Sequence, residues 1–352
     1  MVKGQERNRE FGADVVRCVA VLFIICVHFF LHNEFYNQPQ RGTAMFVADF
    51  VRWLTYSCVP LFLVLTGYLK SECRVSKTYY KGILPILFTW LIMSGICICF
   101  KIGYRHIHKS IWEWIAEVFQ YKAADYSWYI ELYFGLFVLI PFLNEIFFAS
   151  KKRSYHRAWL LTLTGIVFIP SLLNGNVIGG AQWNPMPDYF VSWWPIAYYF
   201  MGVYIRVYQP KVNRLLCAGM ALGVCLVKAV FTFSTAGGGK FYDGISGGYS
   251  DFGVMLITAL VFLFCYTWET KHHRIQEAFA HVSKRALHIY LISAVFDVLL
   301  KGMEIDFTLP EKYIWTFPVK CSLVFGLSLL ASEVTYPAVV WLTGRVTPKM
   351  MK

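Results

Sequence analysis

Asp14, Arg17 and His28 stand on one apolar stretch, Phe11 to Leu31, and their types suit acid–base and anion-binding chemistry. Arg17 and His28 are eleven positions apart, close to three helical turns. On a helix they share a face, about 17 Å apart along the axis. Asp14 lies one turn before Arg17 on nearly the same face. A charge or an imidazole in a spanning helix costs roughly 2.5–3.5 kcal/mol or more, so each marks a function or a partner. Neutral imidazole is the usual general base near neutral pH. It can take the proton of an acceptor hydroxyl that then attacks a thioester. A guanidinium makes forked, charge-assisted contacts to phosphate, which suits Arg17 to the phosphates of a thioester carrier. With the N-terminus inside, an anion-binding group stands at the cytoplasmic mouth and a candidate base about two-thirds of the way across. An extended pantetheine arm has a comparable reach, so the pair would bracket one channel through the bundle. The competing reading of His28 is a hydrogen bond between helices.

These residues need a membrane bundle to hold them. The chain has 352 residues, 57% hydrophobic and only 15% charged. That composition excludes a soluble domain and supplies several apolar runs of about 20 residues. A net charge of +12 admits nucleic acid as a partner, but the placement of the charges argues against it. Ten spans are expected, near 11–32, 44–69, 82–101, 127–149, 157–174, 190–208, 214–234, 251–268, 284–301 and 316–343. Roughly 21 Lys and Arg then fall on the cytoplasmic side against about 8 outside, as the positive-inside rule requires. Both termini are thereby expected in the cytoplasm. Some of these cations also suit anionic lipid or a phosphorylated cosubstrate. The fold class is all-α, a polytopic integral membrane helix bundle, with 1–352 read as a single transmembrane domain.

Several other readings follow from the chain. The first run carries Arg17 and His28 and lacks a small-residue cleavage site, so it is expected to stay rather than be removed as a signal peptide. The ten cysteines lie mostly within apolar runs without CxxC pairs, so they read as small buried hydrophobes. No metal is expected. Residues 104–122 form a shorter amphipathic stretch expected along the interface. Residues 175–190 hold no Lys or Arg and carry Trp183 in a Gly-, Asn- and Pro-rich setting that leads to Trp193 and Trp194. Residues 235–250 are glycine-rich around Lys240 and Asp243. Such loops suit a neutral polyhydroxyl ligand stacking on rings; an ordinary aromatic belt is the alternative.

Arg17-x10-His28, preceded by Arg9-Glu10 and Asp14, resembles the first-helix signature of the membrane acyltransferase 3 family. Val59 to Tyr68 (VPLFLVLTGY) is similar to that family's second-helix motif. Tyr79-Tyr80-Lys81 to Pro85 is similar to its basic start of helix three, and Trp128-Tyr129 through Gly135 to Pro141 to a later element. Phe200 to Tyr204 (FMGVY) and Ser283 to Ile292, with its IYLI stretch, extend the likeness over nearly the whole chain. Two departures stand out. Ser293 occupies the place where many members carry histidine, and Thr66 replaces a commoner serine.

The resemblance implies an integral-membrane O-acyltransferase of a bacterial plasma membrane, using cytoplasmic acyl-CoA, with acetyl-CoA as the expected cosubstrate. The acceptor would be a hydroxyl of a cell-surface or lipid-linked glycan, or of a related envelope molecule. No hydrolase-like extracellular domain is expected at the C-terminus, so the membrane domain or a partner handles the acceptor. His28 and Arg17 are the catalytic candidates. Arg9, Asp14, Arg17 and Lys81 are the donor-binding candidates. Thr66, Trp128, Glu131, Trp183 and Trp193 are the acceptor-binding candidates. Glu131, one turn after Trp128, either orients the imidazole, binds a sugar hydroxyl or pairs structurally. Asp49 and Arg52 read as a local ion pair. Lys228, Asp297, Lys320 and Glu333 read as halves of structural pairs between helices. A transporter or flippase of an amino acid or envelope precursor is the alternative function. The expected absence of repeats and broken helices counts against it. Nothing in the sequence sets an oligomeric state.

Overall fold

The first apolar stretch folds as one helix, α1 (Phe11–His32), and the rest of the bundle is built around it. A computed structural model describes residues 10–178, 180–242, 248–301 and 310–346. Val16, Ala20, Val21, Ile25, Phe29 and Phe30 on α1 are all fully or almost fully buried. That is the burial of a helix apolar on nearly every side. Asn33 ends it. Its backbone N–H and its side-chain amide both donate to the Phe29 carbonyl, at 3.1 and 2.6 Å, and Glu34 then turns left-handed at φ 58.

Thirteen further helices follow among the described residues: α2 (Gly42–Thr55), α3 (Cys58–Lys70), α4 (Lys77–Lys81), α5 (Leu84–Gly103), α6 (Ile111–Phe119), α7 (Trp128–Phe148), α8 (Arg153–Leu163), α9 (Pro170–Leu173), α10 (Trp194–Tyr208), α11 (Arg214–Ala236), α12 (Phe252–Tyr266), α13 (His273–Lys301) and α14 (Pro310–Val346). One antiparallel hairpin, β1 (Asn176–Ile178) with β2 (Ala181–Trp183), interrupts them. α1 packs against α2, α3, α12, α13 and α14.

Seven stretches among the described residues are long and apolar enough to cross a membrane. They coincide with seven of the ten expected spans. The other three are helical but fall short of that criterion. α10 and α12 run 15 residues each, or about 22 Å against a hydrocarbon core of about 30 Å. The third expected span is the second part of the 29-residue α13, whose first part carries charge. Both termini lie outside the described residues.

The span expected over 44–69 is present as Gly42–Lys70, with a turn at Tyr56–Ser57 between α2 and α3. Pro60 sits in the first turn of α3, where its missing N–H costs nothing. The Ser57 hydroxyl donates to the Leu54 carbonyl at 2.8 Å and satisfies backbone left open by the break. A π-helical turn over Thr164–Phe168 likewise joins α8 to α9.

The motifs around Gly67 and Gly202 have a packing cause. A Cβ on Gly67 of α3 would collide with the Tyr199 carbonyl of α10, and one on Gly202 of α10 with the Val64 carbonyl of α3. The two backbones touch there, which only glycine allows. Gly202→Ala is therefore expected to force α3 and α10 apart and to destabilise the bundle by about 1–3 kcal/mol or more. A lowered melting temperature of the purified protein in detergent checks this; an unchanged one contradicts it.

Polar residues that looked isolated find partners. Lys228 pairs with Asp251 at 2.9 Å, and Arg285 of α13 meets Glu333 of α14 at 2.9 Å. Lys320 donates to the Asn33 Oδ1 at 2.9 Å, and Tyr126 donates to Asp297 at 2.8 Å. Each of these charges thus has a polar partner on another part of the chain. The short α6 carries exposed Ile111, Trp112 and Phe119. It begins with a reciprocal Ser110–Glu113 capping box. The Ser110 backbone N–H holds the Glu113 carboxyl below its usual range.

Candidate active site

Arg17 and His28 line two different cavities that share a wall. The first, about 500 Å³, has Arg17, Lys70 and Lys284 in its lining. Its lining is otherwise mostly apolar, with Phe62, Leu65, Ile86 and Leu287 among the residues. The second, about 320 Å³, is lined by His28, Arg52, Tyr56, Trp128 and Tyr249. Ile24 of α1 and Tyr290 of α13 line both. In place of the expected single channel, Arg17 and His28 line two adjoining cavities, with Ile24 and Tyr290 common to both.

In the first cavity Arg17 is held from two sides. Its Nη1 donates to the Ser283 hydroxyl of α13 at 2.6 Å and lies 3.7 Å from Asp14. Asp14 is buried, while the Arg17 side chain keeps 27% exposure. Thr66 lines the same cavity, and its hydroxyl donates to the Phe62 carbonyl at 2.7 Å. His288 also lines it, with ring nitrogens 3.3 Å from the Thr89 hydroxyl and 3.0 Å from that of Thr335. Both nitrogens are engaged, so His288 reads as a structural brace between α5, α13 and α14. Ser293, where many relatives of the resembled pattern carry histidine, is buried and donates to the Tyr290 carbonyl at 2.8 Å.

In the second cavity His28 is nearly buried, and its Nδ1 has no hydrogen-bond partner among the described residues. A buried polar nitrogen left in this way costs about 1–3 kcal/mol. The ring is fixed by stacking on Tyr126 instead, with centroids 3.5 Å apart and planes 26° apart. Beyond it a row of rings continues. Tyr56 stacks on Tyr249 at 4.7 Å and Trp128 on Tyr249 at 5.9 Å. The Arg52 guanidinium, almost wholly buried, lies over Tyr56 and Trp53 at 4.1 and 4.3 Å.

Of the candidates read from sequence, Arg17 and Thr66 line the first cavity, with Asp14 buried 3.7 Å behind Arg17, and His28 and Trp128 line the second. Glu131, Trp183, Trp193 and Lys81 line neither, and all four are exposed. Lys81 borders a separate open groove with Lys77 and Tyr80. Arg9 and Asp243 lie outside the described residues. Sequence reasoning missed Lys70, Ser283, Lys284, Tyr56, Tyr126 and Tyr249. Lys70 and Lys284 had been counted only as charges that set topology, and Arg52 only as half of a local pair.

Comparison with known proteins decides the family. A family model described as an acyltransferase domain, that of the acyltransferase 3 family, matches residues 11–333, nearly the whole chain. The chain belongs to the acyltransferase 3 family. No curated protein matches it, and no solved structure does. Family membership and the apolar helices together make this acyltransferase 3 chain a multi-pass membrane protein. The family's chemistry, acyl transfer, is the setting in which the two cavities are to be read.

Proposed function

We propose that this acyltransferase 3 protein moves an acyl group, in the first instance acetyl, from acyl-CoA to a hydroxyl of a cell-surface or lipid-linked glycan. We place it in the plasma membrane, with the Arg17 end facing the cytoplasm. One observation carries the reading: a cavity lined by three cations and a cavity holding a buried histidine have Ile24 and Tyr290 in common. The carrier's phosphates fit Arg17, Lys70 and Lys284, as charge-assisted contacts. The pantetheine arm then runs along the apolar lining towards the shared wall. The acceptor sugar stacks in the other chamber on Trp128, Tyr249 and Tyr56.

With Nδ1 buried, Nε2 is the His28 nitrogen left to meet the acceptor. It takes the proton of the acceptor hydroxyl as that oxygen attacks the thioester carbonyl. The carbon–sulfur bond breaks, the thiolate leaves, and the imidazolium returns its proton to sulfur. One alcohol and one thioester give one ester and one thiol.

Arg17→Ala is expected to raise the KM for acetyl-CoA about 10- to 100-fold, the worth of one charge-assisted contact, with kcat changed far less. Release of CoA thiol by membranes carrying each variant measures both. An unchanged KM contradicts a phosphate clamp at Arg17. The transporter alternative gains one observation, since the broken backbone at Tyr56 borders a cavity, as it does in many carriers. Uptake of a labelled precursor into vesicles free of acyl-CoA would favour it.

A further inference from the structure

We infer that Tyr126 is the positioning residue of His28, holding through its ring face an imidazole that has no hydrogen-bonded orienter. This rests on His28 being the base, as proposed above. A general-base histidine needs its ring held still and its charged form stabilised once it has taken the proton. A carboxylate on the second nitrogen commonly does both. Here the Nδ1 of His28 has no partner among the described residues. The Tyr126 ring stacks on it instead, with centroids 3.5 Å apart and planes 26° apart, and the Tyr290 ring lies beside both at 6.4 and 6.5 Å. A cation over an aromatic face is attracted by the ring quadrupole, most strongly where water is excluded. The stack therefore gains when His28 becomes imidazolium, which is when catalysis needs it.

Tyr126 is itself fixed. Its hydroxyl lies 2.8 Å from the Asp297 Oδ2 and 2.6 Å from the His32 Nε2. A phenol has one proton, so Tyr126 donates to Asp297 and accepts from the His32 Nε2–H. That assignment gives His32 the Nε2-protonated tautomer or the cation. A phenol donating to a carboxylate holds a more electron-rich ring, which strengthens its hold on a cation. The loop that carries Tyr126 is pinned as well. Lys101 reaches Asp125 at 2.7 Å and the Lys122 carbonyl at 2.9 Å, and Ser127 donates to the Tyr121 carbonyl at 2.6 Å. Asp297 thus acts on His28 at one remove, through the face of a tyrosine.

The test compares Tyr126→Leu with Tyr126→Phe in membranes of the producing cells, with labelled acetyl-CoA as the donor probe. Loss of the ring is expected to lower kcat about 30-fold, the scale of a desolvated cation–π contact, with KM for acetyl-CoA within about twofold. Tyr126→Phe keeps the face and loses the hydroxyl. It is expected to recover most of that loss, and Asp297→Asn to fall between the two. Should Tyr126→Leu not reach the membrane, Tyr126→Met fills the space without a π face and serves the same comparison. Equal kcat in the Phe variant and in the Leu or Met variant overturns the inference, as does an effect on KM alone. His28→Ala, run alongside, separates the two claims. Wild-type turnover in His28→Ala removes the base itself. An inactive His28→Ala beside a fully active Tyr126→Leu removes only the stack.

Discussion

His28→Ala is expected to lower acetyl transfer about 100- to 10,000-fold, the range a positioned general base contributes, while binding of acetyl-CoA stays intact. The reason is the division of labour between the two cavities. The cations that fit the donor, Arg17, Lys70 and Lys284, lie in a chamber that His28 does not line. Removing the imidazole leaves that chamber whole and takes away the proton acceptor beside the acceptor hydroxyl. Alanine also removes the ring that stacks on Tyr126, so His28→Gln is the companion variant. Gln keeps a polar group of moderate size but does not serve as a base near neutral pH. Both variants are to be checked for insertion and monodispersity in detergent. Rates near wild type in folded protein would remove the catalytic role of His28.

Ile24→Trp should abolish transfer with comparable force. Ile24 is buried, stands one turn before His28 on α1, and lines both cavities with Tyr290. If the acyl carbon reaches the acceptor across this wall, an indole there keeps the reacting atoms apart. A misplacement of about 1 Å can already cost about 100-fold. Overpacking a buried helix costs about 1–3 kcal/mol, so folding needs the same check. Ile24→Val, a smaller side chain of the same shape, is expected to retain activity. Donor binding should survive in both. Unimpaired transfer by folded Ile24→Trp would mean that the acyl group takes another route.

How far the sequence led can be argued residue by residue. α1 was legible because its apolar residues run unbroken from Val15 to Leu31 apart from Arg17 and His28. Two residues that line the cavities were legible for the same reason, since Arg17 and His28 are conspicuous in such a setting. The TGY and MGVY motifs were visible as patterns. Only the structure gives their cause, two helix backbones in contact at Gly67 and Gly202. The break at Tyr56–Ser57 was hidden because neither residue is Gly or Pro and the apolar run continues through it. The partition between Arg17 and His28 was hidden because its members, Ile24 and Tyr290, read as ordinary core. Tyr126 left no signal at all. It belongs to a loop and meets His28 only in three dimensions. Glu131, Trp183 and Trp193 stand apart from both cavities. Suitable chemistry at a plausible depth in the sequence does not place a side chain in a cavity, and these three are exposed and line neither.

The most direct measurement supplies labelled acetyl-CoA to the Arg17 face of sealed, oriented membrane vesicles and locates the label afterwards. In wild type, acetyl ester is expected on acceptor at the opposite face, and in His28→Ala none. Ester formed on the donor's own face, or undiminished transfer by His28→Ala, would contradict passage of the acyl group from the arginine cavity to the histidine cavity.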